Sequence, residues 1–205
     1  MTWMTTASGG RFDYGTPDLA EIHIADIAHA LAQICRFTGH TRRFYSVAQH
    51  SVLVSRIVPP EHALAGLLHD AHEAYVGDMA TPLKDLVPNY RAIEARAWSA
   101  VATRFGLNLV LPPCVKQADI IALATERRDL LPRDGRVWRV LENVVPRFER
   151  IEPLGSEAAE ALFLSRYREI AAAARQSVVA EPTPSPRYPR LRRALRALFV
   201  GDGPI

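Results

Sequence analysis

An all-helical bundle is the fold class this sequence predicts, and three observations predict it. Apolar residues recur near a period of 3.6 in several separate stretches. Proline and glycine stand between those stretches, where helices start and stop. No run shows the apolar–polar alternation of a half-buried strand. The chain has 205 residues, of which 48% are hydrophobic and 23% charged. That size and balance suit one packed domain with an appendage.

Residues 1–17 hold several Gly, Ser and Thr and are expected to form an irregular leader. The first helix follows Asp18, where Ile22, Ile24, Ile27, Ala28, Leu31 and Ile34 share a face. Gly39 stops it or closes the turn after it. Ser46 with Gln49 three residues on predicts a capping box opening the second helix, which carries Val47, Val52, Val54 and Ile57. Pro59-Pro60 ends that helix and starts the third, which is expected from about Glu61 to Tyr75, with Gly77 as its stop. Thr81-Pro82 reads as another start, and Tyr90 to Phe105 as a helix closed by Gly106. Pro112-Pro113 precedes a fifth strong helix, about Val115 to Leu130, and Ser156 to Ala174 forms a last long one. Residues 18–175 therefore make the main domain.

Residues 176–205 change character. Glu181 to Pro189 is a stiff Pro-rich linker. Leu191, Ala194, Leu195, Leu198 and Phe199 then fall on one helical face, with Arg192, Arg193 and Arg196 opposite. This predicts a short basic amphipathic C-terminal helix. Its partner is open between protein packing, a membrane surface and nucleic acid.

The formal net charge is only +3, which does not argue for nucleic acid. The two cysteines, Cys35 and Cys114, make neither a disulfide framework nor a Cys-x-x-Cys zinc knuckle. A reducing cytoplasm is the expected location. Met1 to Gly10 lacks the form of a secretory signal. No apolar stretch approaches the roughly 20 residues that span a bilayer, so no integral membrane segment is expected.

The chemistry concentrates on His50, His69-Asp70 and Asp119. Imidazole and carboxylate suit a divalent transition metal without any thiolate. His50 lies 9 residues before Pro59 and His69 lies 9 after Pro60. At about 1.5 Å per residue, both sit about 13 Å from the turn. An antiparallel helical hairpin would bring them level. Asp70 can reach the same ion from the neighbouring direction. Asp119, set among Ile120, Ile121 and Leu123, needs a partner if buried. Glu73 lies one helical turn from His69 and Asp70, placed to exchange a proton with water or a leaving group. The absence of Cys argues against a closed structural zinc site. His62, on a face similar to that of His69, is the competing ligand, while Arg42 and Arg43 are phosphate candidates.

His50…His69-Asp70…Asp119 resembles the HD-domain metal phosphohydrolases, and among them the HD-domain 5′-deoxynucleotidases. The matching stretches are His69-Asp-Ala-His-Glu-Ala-Tyr-Val-Gly-Asp78, Thr81-Pro-Leu-Lys84, Tyr90-Arg-Ala-Ile-Glu94 and Val115-Lys-Gln-Ala-Asp119. The likeness covers about residues 20 to 170. It implies an HD-domain helical bundle in which His50, His69, Asp70 and Asp119 hold one divalent metal. It implies catalytic roles for Glu73 and Asp78, the latter beside the nucleotide sugar. Arg36 would take the phosphate and Phe37 would lie by the base or sugar, where family members carry Trp. It also suggests a homodimer.

The expected function is removal of the 5′-phosphate from (deoxy)nucleoside monophosphates, with Mn, Co, Zn, Fe or Ni as the cofactor. Arg43 and Lys84 complete the expected substrate contacts, although a solvated helix face explains Lys84 equally well. Two alternatives stand beside it. One is a dNTP triphosphohydrolase, which Arg42 and Arg43 favour. The other is a non-catalytic nucleotide-sensing or interaction protein.

Overall fold

The computed structural model describes residues 1–180. Its framework is helical. Helices α1 (Ile24–Gln33), α2 (Val47–Ile57), α3 (Ala63–Leu68), α4 (Glu73–Val76), α5 (Thr81–Lys84), α6 (Pro88–Arg104), α7 (Pro113–Leu130) and α8 (Ser156–Ala180) follow in chain order. Four of these eight starts are set by proline or a side-chain cap, those of α2, α5, α6 and α7. Pro82, Pro88 and Pro113 stand in the first turns of α5, α6 and α7. The missing N–H of proline has no intrahelical partner to lose there.

Helix α2 is the centre of the bundle. Helices α1, α3, α7 and α8 all pack on it. It therefore buries more than half of its girth, Val47, His50, Ser51, Val52 and Val54 among the covered residues. The main core joins its Val52 to Leu31 of α1, Leu67 and Leu68 of α3, Val101 of α6 and Phe163 of α8. A smaller cluster of Val54, Val58, Ala65, Val115, Ala118 and Ala122 fixes the start of α7 against the α2–α3 turn.

Ser46 caps α2 as expected, its hydroxyl accepting from the Gln49 amide at 3.2 Å. The reciprocal half of the capping box is diverted. Gln49 Nε2 donates to the Glu152 carbonyl at 2.8 Å, and its Oε1 accepts from Leu154 N at 2.9 Å. The side chain thus ties the approach to α8 onto α2.

The leader departs from expectation. Trp3–Thr5 (β1) pairs antiparallel with Arg11–Asp13 (β2). Three-residue strands are too short to show an alternation, so the sequence pattern missed them. The hairpin is docked by three side chains. Phe12 is buried and stacks on Tyr75 at a centroid distance of 3.9 Å. Tyr14 donates to the Tyr75 carbonyl at 2.7 Å. The tip residue Ser8 donates through its amide and hydroxyl to the buried Asp26 carboxylate, at 2.7 and 2.8 Å.

The single third helix expected over Glu61 to Tyr75 is divided. A 3-10 turn at Pro60–His62 leads into α3, and a tight segment follows at His69–His72 before α4. Its bonds run three residues back, from Ala71 N to Leu68 O at 3.0 Å and from Glu73 N to Asp70 O at 2.9 Å. The tightened turn replaces regular helix at the His-Asp pair. Gly77 ends α4 with φ +83°, a left-handed value that favours glycine.

Gly66 sets how closely α3 approaches α2. A Cβ there would lie 2.9 Å from Val58 Cγ2 and 3.0 Å from Ser55 Cα. The second is backbone and cannot swing away. Gly66→Ala is expected to cost about 1–3 kcal/mol, read as a lowered thermal midpoint. An unchanged midpoint would show that the two helices can separate freely.

The Pro-rich linker beyond residue 180 and the basic amphipathic helix lie outside the described residues.

Candidate metal centre

The Pro59-Pro60 turn does what its symmetry predicts. It folds α3 back along α2 and brings His50 Nε2 to 3.3 Å from His69 Nε2. Asp70 Oδ2 lies 3.1 Å from the His69 nitrogen and 3.5 Å from that of His50. Asp119 Oδ1, from the early turns of α7, lies 3.4 Å from His50 Nε2. Four donor atoms from three elements therefore converge. His62 belongs to the 3-10 turn before α3 and is not among them.

The opposite edge of each imidazole is already committed. His69 Nδ1 lies 2.8 Å from the Gly66 carbonyl, which can only accept, so the nitrogen donates. His50 Nδ1 lies 2.6 Å from Glu126 Oε1. Glu126 is fully buried. Burial alone would raise its pKa, but Arg36 and His50 pull it down to about 2. It is a carboxylate, so His50 Nδ1 must donate as well. With both Nδ1–H groups spent, two Nε2 lone pairs face one another and two carboxylates. Such an arrangement calls for a proton or a cation between the rings. The cluster of His50, His69 and Asp119 could hold a metal ion, and two imidazoles with two carboxylates are a donor set for divalent transition metals.

Glu126 was not among the residues singled out from the sequence, although its spacing held a signal. It follows Asp119 by seven positions on α7, which puts both acids on one face two turns apart. It also accepts from Arg36 Nη2 at 3.0 Å. One carboxylate thus orients a metal-type histidine and an arginine together. Partners of this kind fix ring orientation and ligand basicity. Glu126→Gln is expected to weaken metal affinity about 10- to 100-fold, measurable by titration calorimetry. An affinity equal to the native one would reduce Glu126 to a packing residue.

Arg36 extends the cluster. It follows α1 in a 3-10 segment, Arg36–Gly39, and is held by Arg36 N donating to Tyr45 O at 2.8 Å. Phe37 and Thr38 take left-handed φ values of 54° and 53° there, uncommon for residues with a Cβ. The guanidinium lies 5.3 Å from the Phe37 ring centroid. Its Nη1 is 3.7 Å from Asp78 Oδ2 and 4.0 Å from Asp70 Oδ2, and its Nε has no partner. Burial opposes its charge, but Glu126, Asp78 and Asp70 outweigh it and hold the group protonated.

Glu73 opens α4 beside these groups, buried, with Oε2 unpartnered. Burial, then the neighbouring Asp70 and Asp78, push its pKa well above the usual carboxylate range. Asp78 is raised chiefly by burial. Lys84 Nζ pairs with Glu94 and lies 4.0 Å from Glu73 Oε1.

Arg43 stands apart from these groups. It is two-thirds exposed, at 67%, and its Nη1 lies 3.8 Å from Glu152. The turn closed by Thr41 Oγ1 donating to Arg43 O directs it to the loop before α8, not to the cluster.

The metal-free protein carries a pH signature. Burial and Arg36 lower the pKa of His50, but Glu126 and the hydrogen bonds to Asp119 and Glu126 prevail and raise it from 6.5 to about 9. A raised folded-state value stabilises the fold below about pH 6.5 and loses that effect as pH rises through 9. Glu126, depressed from 4.5 to about 2, works oppositely and fails as pH falls through that range. Chelated protein is therefore expected to melt highest between these limits and to weaken toward pH 9. Metal binding must displace the His50 proton, so affinity should rise over the same interval. A melting curve flat from pH 6 to 9 would contradict the assignment.

Among the described residues no helix is long and apolar enough to cross a membrane. No family model matches the chain. Two relatives do. An uncharacterized protein of Rhodobacter capsulatus is 41% identical over 126 residues, a match covering 57% of this chain and 64% of that protein. The uncharacterized protein YfdR of Escherichia coli K12 is 44% identical over 172 residues, covering 83% of this chain and 96% of YfdR. With 44% identity over nearly the whole of the second protein, the chain belongs to the YfdR family.

Proposed function

We propose that this chain is a metal-dependent phosphohydrolase of the HD type, which removes the 5′-phosphate from (deoxy)nucleoside monophosphates. One observation carries the reading. A half-buried, permanently charged Arg36 and a buried Glu73 with a free carboxyl oxygen flank the His50, His69 and Asp119 cluster and the Asp70 carboxylate beside it. The motif likeness to HD-domain 5′-deoxynucleotidases supports it.

His50, His69, Asp70 and Asp119 would hold the ion, one of Mn, Co, Zn, Fe or Ni. When bound, such an ion lowers the pKa of water and neutralises phosphate charge. The chain supplies the rest. Arg36 offers the planar donor fork that suits phosphate oxygens. Its orientation is held by Glu126. The Phe37 ring, beside Arg36, borders the sugar or base. Glu73 accepts the proton of the attacking water, and Asp78 assists near the sugar. The bond from phosphorus to the 5′-oxygen breaks, that oxygen takes up a proton, and nucleoside and inorganic phosphate leave. Within the same reading the enzyme is a cytoplasmic homodimer, a state that light scattering of the full chain would test.

Arg43, which favoured a longer phosphate chain, is paired with Glu152. That supports the monophosphate over the triphosphate substrate. The test is release of phosphate and triphosphate from a panel of dNMPs, NMPs and dNTPs, with Mn or Co restored after chelation. Phosphate from monophosphates is the expected product. Triphosphate from dNTPs would replace the proposed reaction with the triphosphohydrolase one. Inertness across the panel in metal-loaded protein would favour a nucleotide-sensing role.

A further inference from the structure

A second cation-type pocket adjoins the first. His72, Glu73 and Glu94 each offer a donor atom, all within 4.8 Å of one another. Two of these side chains also carry buried atoms without a partner, His72 Nδ1 and Glu73 Oε2. Glu73 itself is only 4% exposed. One imidazole and two carboxylates form a ligand set for a divalent metal. The pocket already contains a positive charge from the chain. Lys84, at the end of α5, pairs its ammonium with Glu94 Oε1 of α6 and lies 4.0 Å from Glu73 Oε1 of α4. His72 Nε2 lies 3.5 Å from the same Glu94 oxygen.

We propose that Lys84 is a built-in cation that occupies a metal-type pocket made by His72, Glu73 and Glu94, where it positions Glu73 and keeps a second metal ion out. The role it assigns to Glu73 rests on the proposed phosphohydrolase reading; the exclusion of metal does not.

The charges explain why a lysine belongs here. Two carboxylates in one half-buried pocket repel each other unless a cation lies between them. An ammonium on a flexible stem meets that need with a single charge and no coordination geometry of its own. It thus leaves the Glu73 Oε2 atom free, where a metal would bind both carboxylates and withdraw Glu73 from proton transfer. Lys84 is also stationed from outside. Its Nζ lies 5.7 Å from the Tyr90 ring centroid, and the Tyr90 hydroxyl donates to the Gly77 carbonyl at 3.0 Å. The α5–α6 corner is thereby fastened to the end of α4, the helix that Glu73 begins.

The experiment is metal content of the full chain after equilibrium dialysis against Mn, and separately Co. It compares the native chain with Lys84→Ala, Lys84→Arg and the double variant Lys84→Ala/Glu94→Gln. Lys84→Ala is expected to hold one equivalent more than the native chain. Lys84→Arg keeps the charge and should match the native content, and the double variant should lose the added equivalent. Turnover of a nucleoside monophosphate by Lys84→Ala should fall roughly 10- to 100-fold in kcat with KM unchanged, and Lys84→Arg should restore most of it. Lys84→Gln replaces Lys84→Ala if the latter does not fold. A folded Lys84→Ala chain with native metal content would overturn the proposal. So would a raised KM with unchanged kcat, which would make Lys84 a substrate contact. Metal content does not depend on turnover. A chain inert toward every phosphate ester would therefore overturn the reaction and still leave this comparison decisive.

Discussion

Asp70→Ala is expected to lose divalent metal and phosphohydrolase activity together. Asp70 Oδ2 lies within 3.5 Å of both His50 Nε2 and His69 Nε2, the shortest carboxylate approach to the pair. The surrounding charges hold its proton off. Burial would raise its pKa, but His69, His50 and Arg36 keep it well below the ordinary carboxylate value. Removing it leaves Asp119 as the single anionic donor. It also removes a negative charge facing Arg36 Nη1 at 4.0 Å. A bound cation would then face one carboxylate instead of two, and an uncompensated charge of that kind costs about 3–5 kcal/mol, which is a loss of roughly 10²- to 10⁴-fold in affinity. Calorimetric titration with Mn or Co measures it. A variant that binds metal as tightly as the native chain would remove Asp70 from the ligand set, whatever happens to activity.

Glu73→Gln should behave in the opposite way on metal and stability. The amide keeps the size of the side chain and an oxygen for Lys84, but cannot take a proton. General acid–base groups contribute about 10²- to 10⁴-fold, so turnover is expected to fall by that order with metal content unchanged. Stability should rise. Glu73 is buried beside Asp70 and Asp78, and both burial and those charges push its pKa up. A carboxyl with a raised folded-state pKa costs stability at pH values above its ordinary 4.5. Glutamine removes that cost, so the thermal midpoint at neutral pH should increase. The pairing of lost turnover with gained stability marks a residue kept for function. Full turnover would end the proton-transfer role, and a lowered midpoint would show that Glu73 is a structural anion.

Much of this was readable before the structure, for reasons that are physical. Proline inside an early turn can be tolerated only at a helix start, so Pro82 and Pro113 marked real boundaries. The equal distances of His50 and His69 from Pro59-Pro60 predicted that a helical hairpin would bring them level, and the rings do meet. What escaped was set by tertiary packing. The β1–β2 hairpin has too few residues for a pattern and depends on Phe12 finding Tyr75. The break at His69–His72 carries neither proline nor glycine, and its short-range bonds form within a packed turn. Gln49 was right for a capping box by spacing, but the loop at Glu152 and Leu154 offered its amide two partners instead of one. Arg43 could not be distinguished from Arg36 by type, only by which direction its turn faces. Glu126 stands between Thr125 and Arg127-Arg128, the look of a solvated helix face, and only its spacing of seven from Asp119 set it on the same side.

The convergence on His50 also has a meaning for how the chain reaches this state. His50 meets His69 across 19 residues but meets Glu126 across 76. The first loop closes early and at modest entropy, whereas closing the second costs more, since the penalty grows with the logarithm of length. An ion held between His50, His69 and Asp119 would act as a removable cross-link over that longer span. It would favour the folded chain by mass action, in proportion to the logarithm of its free concentration. Scarcity of the ion would then thin the population of folded molecules as well as idle them, making the abundance of this protein a readout of metal supply.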